Sequence, residues 1–278
     1  MRSCYALYQT KILGKWYSCN RIILGMNFLC IWLLPILSAL LCIGGTISGH
    51  FTKFSDYFNS SIAVPYIGNF TESYPASALF AQLLNMSAFF YILTFCAVHL
   101  QVVEFYGHSL HWRKGWWYIT SLLILIAGLA GAFGLTLAAN FCYSEGDGNV
   151  HLVGTALAFV GMLLYGWGHV IASYARVPRL VHVAVCHFRS LLMLIITAAF
   201  AFNIIVHYKN DKKQDETTEK IAAISEWGVM LVMQIFVITL VSELRLCTAK
   251  WLWFQPPSLY SVNFFCYLKY VTCSVFFL

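Results

Sequence analysis

Little of this chain is charged. Asp, Glu, Lys and Arg make up 10% of its 278 residues, where a soluble domain carries roughly 25%. That shortage excludes an ordinary water-facing surface. The 60% hydrophobic content and mean hydropathy of +0.72 point instead to a protein that lives in lipid. There is no Cys-x-x-Cys pair and no glycine-rich loop to cradle phosphate. Ten cysteines do not make a disulfide framework either: Cys30, Cys42 and Cys96 fall in apolar runs, and Cys4, Cys19, Cys186, Cys247, Cys266 and Cys273 fall in segments assigned below to the cytosol. Only Cys142 is left for an oxidising compartment, so no internal disulfide is expected. The net charge of +6 does not imply a nucleic-acid partner, because the basic residues are scattered over the connections and form no continuous face. Lipid headgroups are their expected counter-charge.

What the chain has is long apolar runs. A helix needs about 20 apolar residues to cross the hydrocarbon core, and six runs meet that requirement, at 24–47, 79–103, 116–138, 152–174, 189–207 and 221–242. A membrane barrel would show short alternating strands, and these runs are continuous, so backbone hydrogen bonding inside lipid demands helices. The predicted fold is all-α, an integral membrane bundle of six transmembrane helices. The first run follows a basic leader but exceeds the 7 to 15 residues typical of a signal-peptide core, so it is expected to stay as an anchor.

Orientation follows from Lys and Arg. If the amino end is cytosolic, the inner segments hold Arg2, Lys11, Lys15, Arg21, Arg113, Lys114, Arg176, Arg179, Arg189, Arg245, Lys250 and Lys269. The outer ones hold only Lys53, Lys209, Lys212, Lys213 and Lys220. The positive-inside rule therefore predicts that both termini are cytosolic. Trp116, Trp117 and Tyr118 at one span end agree with interfacial anchoring. The chain then divides into a cytosolic leader (1–23), a membrane domain (24–243) with a luminal or extracellular loop at 48–78, and a tail (244–278) that is cytosolic or interfacial. The tail's apolar end is either a marginal seventh span or an interfacial stretch open to palmitoylation. The outer loop carries the glycosylation triplets Asn59-Ser60-Ser61 and Asn69-Phe70-Thr71. A third, Asn85-Met86-Ser87, lies within the second run and is expected to go unmodified. The segment 208–220 balances its charges and reads as a solvated loop.

Ionisable residues in spans are functional candidates by default. Glu104 and Glu243 fall at inner span ends, where headgroups can solvate them. Asn140, His151 and Glu226 all fall at the outer boundary, level with the long loop and beside Trp227. They are either separate interfacial side chains bonded to loop backbone or a coupled polar cluster that organises the loop. No nucleophile or metal set accompanies them, so no catalytic role is expected. Deeper in the spans, His99, Gln101, His169 and Gln234 are expected to make interhelical hydrogen bonds. Gly128, Gly131 and Gly134, and Gly161, Gly166 and Gly168, read as seams for close helix approach. His108, His111, His182, His187 and Cys186 lack the tight repeated spacing of a zinc site. No metal or other cofactor is expected.

Several stretches in order resemble the DRAM family, the damage-regulated autophagy modulators, within the wider Frag/DRAM/Sfk superfamily. They are SGH (48–50), VPYI (64–67), YPASALFAQLLNMSAFF (74–90), AANF (138–141), VHLVGTALAFVGMLLYGWGHVIASY (150–174) and ISEWGVMLVMQIFVITLVSELR (224–245). The resemblance implies six spans, no catalytic machinery, and a lysosomal or endosomal protein that modulates autophagy through membrane lipids or membrane-protein partners. Sister branches imply the alternatives: a plasma-membrane organiser of phosphoinositide signalling, or a mechanosensitive channel or channel modulator. The family often has an acid after the first loop's proline pair, where this chain reads Pro75-Ala76-Ser77-Ala78, so a role for that acid does not carry over.

Pro65 and Pro75 cannot continue a helix, and Gly68 and Asn69 suit turns. The segment from Pro65 to Pro75 is therefore expected to form a compact cap on the bundle mouth, with Tyr66, Ile67 and Phe70 docked on the outer ends of the third, fourth and sixth helices.

Overall fold

The computed structural model describes residues 27–28, 31–52, 65–72, 74–141, 148–213, 216–245 and 249–250. The leader 1–23, Asn59, Cys142 and all of the tail beyond residue 250 lie outside the described residues. Six long helices carry the fold: α1 (Leu34–Thr52), α2 (Ala76–Val102), α3 (Trp116–Asn140), α4 (Gly148–Ala175), α5 (Val183–Lys213) and α6 (Glu216–Thr239). A short 3-10 turn (Ile31–Leu33) leads into α1, a π turn (Val103–Ser109) extends α2, and a four-residue helix α7 (Val241–Leu244) follows α6. With these extensions, six segments among the described residues are long and apolar enough to cross a membrane: Ile31–Phe51, Ala76–Gly107, Trp116–Asn140, Gly148–Ala175, Val183–Val206 and Lys220–Leu244.

Contact clustering separates residues 30–247, which hold the bundle, from a second unit made of the two chain ends. Within that second unit, the described residues form one two-residue antiparallel pairing, β1 (Asn27–Phe28) with β2 (Ala249–Lys250).

The main helix pairs are α3 with α4, α1 with α2, α2 with α3 and α5 with α6, and α1 also touches α6. The α3–α4 pair is the closest because backbone meets backbone. A Cβ at Gly161 would lie 2.6 Å from Gly131 N, and one at Gly154 would lie 2.6 Å from Ala138 N. Only glycine permits that approach, and close packing between small residues is the main attraction available to helices in lipid. Gly131, Gly134 and Gly161 thus form the seam read from the sequence, with Gly154 added to it. Gly166 instead faces Met193 of α5, and Gly168 faces Ile124 of α3.

The core is aromatic and sulfur-rich: Tyr91, Phe95, Tyr165, Met193, Met233 and Phe236 are all buried in one cluster. Tyr91 and Phe95 stack at 5.7 Å between ring centroids, and Phe95 meets Tyr165 at 4.1 Å.

Two sequence readings need correction. Residues 208–220 are not a plain loop, since α5 runs to Lys213 and α6 starts at Glu216. The strong helix formers Lys and Glu in this stretch favour that continuation. The fifth helix also starts at Val183 rather than 189, which places Cys186 and Arg189 inside it.

Candidate functional site

The cap is built on a 3-10 turn, Ile67–Thr71. Pro65 has no backbone N–H, and Tyr66 is extended with φ −62° and ψ 146°, so the N–H at the start of the turn has no preceding turn carbonyl to bond. Asn69 N donates to Tyr66 O at 3.2 Å, Glu72 N to Asn69 O at 3.3 Å, and the Thr71 hydroxyl to Gly68 O at 2.8 Å. The first turn N–H, that of Ile67, has no carbonyl behind it. It donates to Glu226 Oε2 of α6 at 3.1 Å. Next to it, Trp227 Nε1 donates to Pro65 O at 3.0 Å. Two consecutive residues of α6 therefore hold two backbone groups of the turn.

The turn's side chains complete the attachment. Phe70 is fully buried and packs with Phe80 and Leu84 of α2 and Ala139 of α3, with Ile67 and Trp227 beside them. Its ring meets Phe80 at 5.8 Å, Trp227 at 6.1 Å and His50 of α1 at 6.5 Å, all edge-on. A Cβ at Gly49 would lie 2.7 Å from that ring, so α1 offers a bare backbone to it. The cap thus rests on α1 and α2 as well as on α3, α4 and α6. The contribution from α1 and α2 was not read from sequence, although Gly49 and His50 stood in one of the stretches that carried the resemblance.

His151 of α4 is 8% exposed. Its Nδ1 lies 2.9 Å from Phe141 O. A carbonyl only accepts, so Nδ1 carries the proton, which fixes the ring with Nε2 toward the turn. That nitrogen would lie 3.2 Å from a Cβ at Gly68, and glycine is what lets the turn pass over the imidazole. Pro65, Ile67, His151, Glu226 and Trp227 are therefore brought together around one turn, with Tyr66 half-buried at its start. Asn140 is not among them. It pairs reciprocally with Asn85 of α2, at 3.2 and 2.9 Å, on an exposed face.

Below the turn, a partly open cavity of about 120 Å³ lies among α1, α2, α3, α4 and α6. Ile67 and Gly68 roof it, with His151 and Glu226 at the roof end. Its floor is a polar chain across three helices: the Tyr91 hydroxyl donates to Gln234 Oε1, and Gln234 Nε2 donates to Cys42 Sγ at 3.4 Å.

The opposite end of the bundle holds a buried ion pair. Arg189 of α5 and Glu243 of α7, 0% and 4% exposed, meet at 2.8 Å between Nη1 and Oε1. Arg189 also donates to Thr239 Oγ1 and Thr239 O at 2.8 and 2.9 Å, and Gln101 of α2 donates to Glu243 O at 2.8 Å. Glu243 is thus not solvated by headgroups as its position near a span end implied. The signal was available in the opposite charges of Arg189 and Glu243 at the inner ends of two adjacent spans, but the late start assigned to the fifth span hid it. Other deep polar residues do bond between helices, as His99 Nδ1 does with Ser121 Oγ at 2.9 Å. His169 instead meets the ring of Tyr165 on its own helix, tilted by 51° at 4.7 Å.

Among the described residues, no three of His, Cys, Asp and Glu gather as a metal set. Cys186 donates to His182 O at 3.7 Å, and His187 Nδ1 lies 2.6 Å from the Tyr174 hydroxyl.

Comparison with known proteins places these features in a family. The family model described as Frag1/DRAM/Sfk1/Cwh43P N-terminal domain matches residues 21–246. The DNA damage-regulated autophagy modulator protein 1 of Homo sapiens is 25% identical over 212 residues, covering 73% of this chain and 83% of that protein. The Mus musculus protein of the same name is 26% identical over the same shares. Transmembrane protein 150A of Homo sapiens is 30% identical over 175 residues, with 62% of this chain matched to 59% of that protein. No solved structure matches. With six helices fit to span a membrane and a match that covers all of them, the chain belongs to the Frag1/DRAM/Sfk1/Cwh43P N-terminal domain family.

Proposed function

We propose that this chain is a non-enzymatic multipass protein of endolysosomal membranes that modulates autophagy through lipid or membrane-protein partners. The observation that carries this reading is the match, across most of both chains, to proteins named as autophagy modulators. The geometry at the bundle mouth supports a role without catalysis: Glu226 and His151 are each committed to a backbone group, one to Ile67 N–H and one to Phe141 O. Depleting the protein while following autophagic flux tests the reading, together with imaging of a tagged copy against lysosomal, Golgi and plasma-membrane markers. Lowered flux and lysosomal overlap are expected. Unchanged flux with label confined to the plasma membrane overturns the proposal.

The same reading puts both termini in the cytosol and the cap in the lumen, on the strength of the Lys and Arg distribution. An endoglycosidase-sensitive mobility shift is then expected, lost when Asn59→Gln and Asn69→Gln are combined. An amino-terminal epitope should become reachable when only the plasma membrane is permeabilised. Glycans and epitope on one face would contradict this orientation.

A further inference from the structure

The cavity beneath the cap has the chemistry of an amphiphile site. Its walls come from helix faces that repeat at the helical period: Glu226, Met230, Met233 and Gln234 on α6, and His151, Thr155, Phe159 and Met162 on α4. Eight residues of helix separate Glu226 from Gln234, so the lined length is about 12 Å. The α3 wall is mostly small: Gly131, Ala132 and Ala138 line it beside a single larger side chain, Leu135. α4 and α6 do not pack together as a pair.

Polarity differs between the two ends. At the floor, the Tyr91 hydroxyl, the Gln234 amide and the Cys42 thiol are engaged with one another, so each of these polar groups already has a partner within the protein. At the roof, Glu226 uses Oε2 for the Ile67 N–H, and its second oxygen has no hydrogen bond among the described residues. Among the described residues, no Lys or Arg lines the cavity. The roof that they form therefore accepts a hydrogen bond and offers no cation to an anionic head. The middle is apolar, with three methionines, Met162, Met230 and Met233, whose unbranched side chains adapt to irregular shapes. At about 120 Å³, the volume is close to that of an engineered apolar cavity of about 150 Å³ that holds benzene.

We infer that this cavity binds the head-proximal part of a single-chain lipid whose hydroxyl or ammonium group donates to Glu226, with the chain directed past the methionines and out between α4 and α6. The inference needs only the six-span bundle and is independent of the autophagy reading, so either can fail without the other.

The test uses the full-length protein in phosphatidylcholine nanodiscs and three photoactivatable probes with the same chain, labelled near the head: a long-chain alcohol, a long-chain amine and a fatty acid. After illumination, adducts are mapped by mass spectrometry. The alcohol or the amine should mark residues 155–162 and 226–234, and the fatty acid should mark them about tenfold less, the worth of one hydrogen bond to a charged group. Whichever donor probe labels more strongly identifies the head as neutral or cationic. Glu226→Gln should lower the amine's labelling more than the alcohol's. Thr155→Trp should abolish cavity adducts for every probe while leaving adducts at Leu152 and Ile171, which are exposed on the surface of α4. Should that variant fail to fold, the wild-type map decides by itself. Adducts only at surface positions, no adducts at all, or a fatty acid that labels the cavity as well as the alcohol would overturn the inference.

Discussion

Arg189→Ala will destabilise the bundle by about 3 to 5 kcal/mol, the cost of breaking a buried ion pair by removing one partner. The substitution leaves Glu243 at 4% exposure with Gln101 bonded only to its backbone carbonyl, so the carboxylate loses its side-chain hydrogen bond and keeps only the longer-range charges of Arg176 and His169. It also strips two bonds from Thr239, where α6 gives way to α7. Thermal unfolding of detergent-purified protein, read by the monodisperse fraction on size exclusion, is the direct measurement. Glu243→Gln should cost less, since an amide oxygen can still accept from Arg189. The double replacement Arg189→Met with Glu243→Leu should recover most of the loss, because an apolar pair of similar volume avoids desolvating two charges. If Arg189→Ala unfolds like the wild type, the pair must be solvated after all, and the buried geometry would be wrong.

Phe70→Ala will release the cap. A large aromatic removed from a closed site costs about 3 to 5 kcal/mol, and Phe70 is fully buried against groups from α1, α2, α3 and α6. The cost falls on the cap first: the turn keeps its two bonds to Glu226 and Trp227 but loses the side chain that seats it. Hydrogen exchange of residues 65–72 should rise sharply, while exchange in the α3–α4 pair stays unchanged. Phe70→Leu should give an intermediate result. Protection of the turn equal to that of the wild type would show that the α6 bonds alone hold it.

The spans were legible because an apolar run of helical length has one stable form in lipid. Their ends were less so. Sequence hydropathy stops where the lipid stops, but a helix continues as long as its residues favour it, which is why α5 reaches Lys213 and α6 starts at Glu216. The inner start of α5 was missed for the opposite reason: Arg189 reads as a boundary unless its partner is known, and Glu243 lies 54 positions later. The cap's existence was legible in Pro65, Gly68 and Pro75, and so was its docking through Phe70. Its partners were only partly legible. Asn140 shared a membrane level with His151 and Glu226, but level says nothing of azimuth, and its helix turns it toward Asn85. Gly154 in the seam was passed over because it stands alone, without the regular spacing of Gly128, Gly131 and Gly134.

The two α6 residues that hold the cap also set a timetable. Ile67 waits for Glu226, made 159 residues later, and at about 5 to 20 residues per second that interval is on the order of 10 to 30 s. Until then two backbone groups of the turn lack the partners that α6 supplies, and only the contacts of Phe70 with α1, α2 and α3 can seat it. Once α6 arrives, Glu226 and Trp227 fasten what Phe70 has only rested in place.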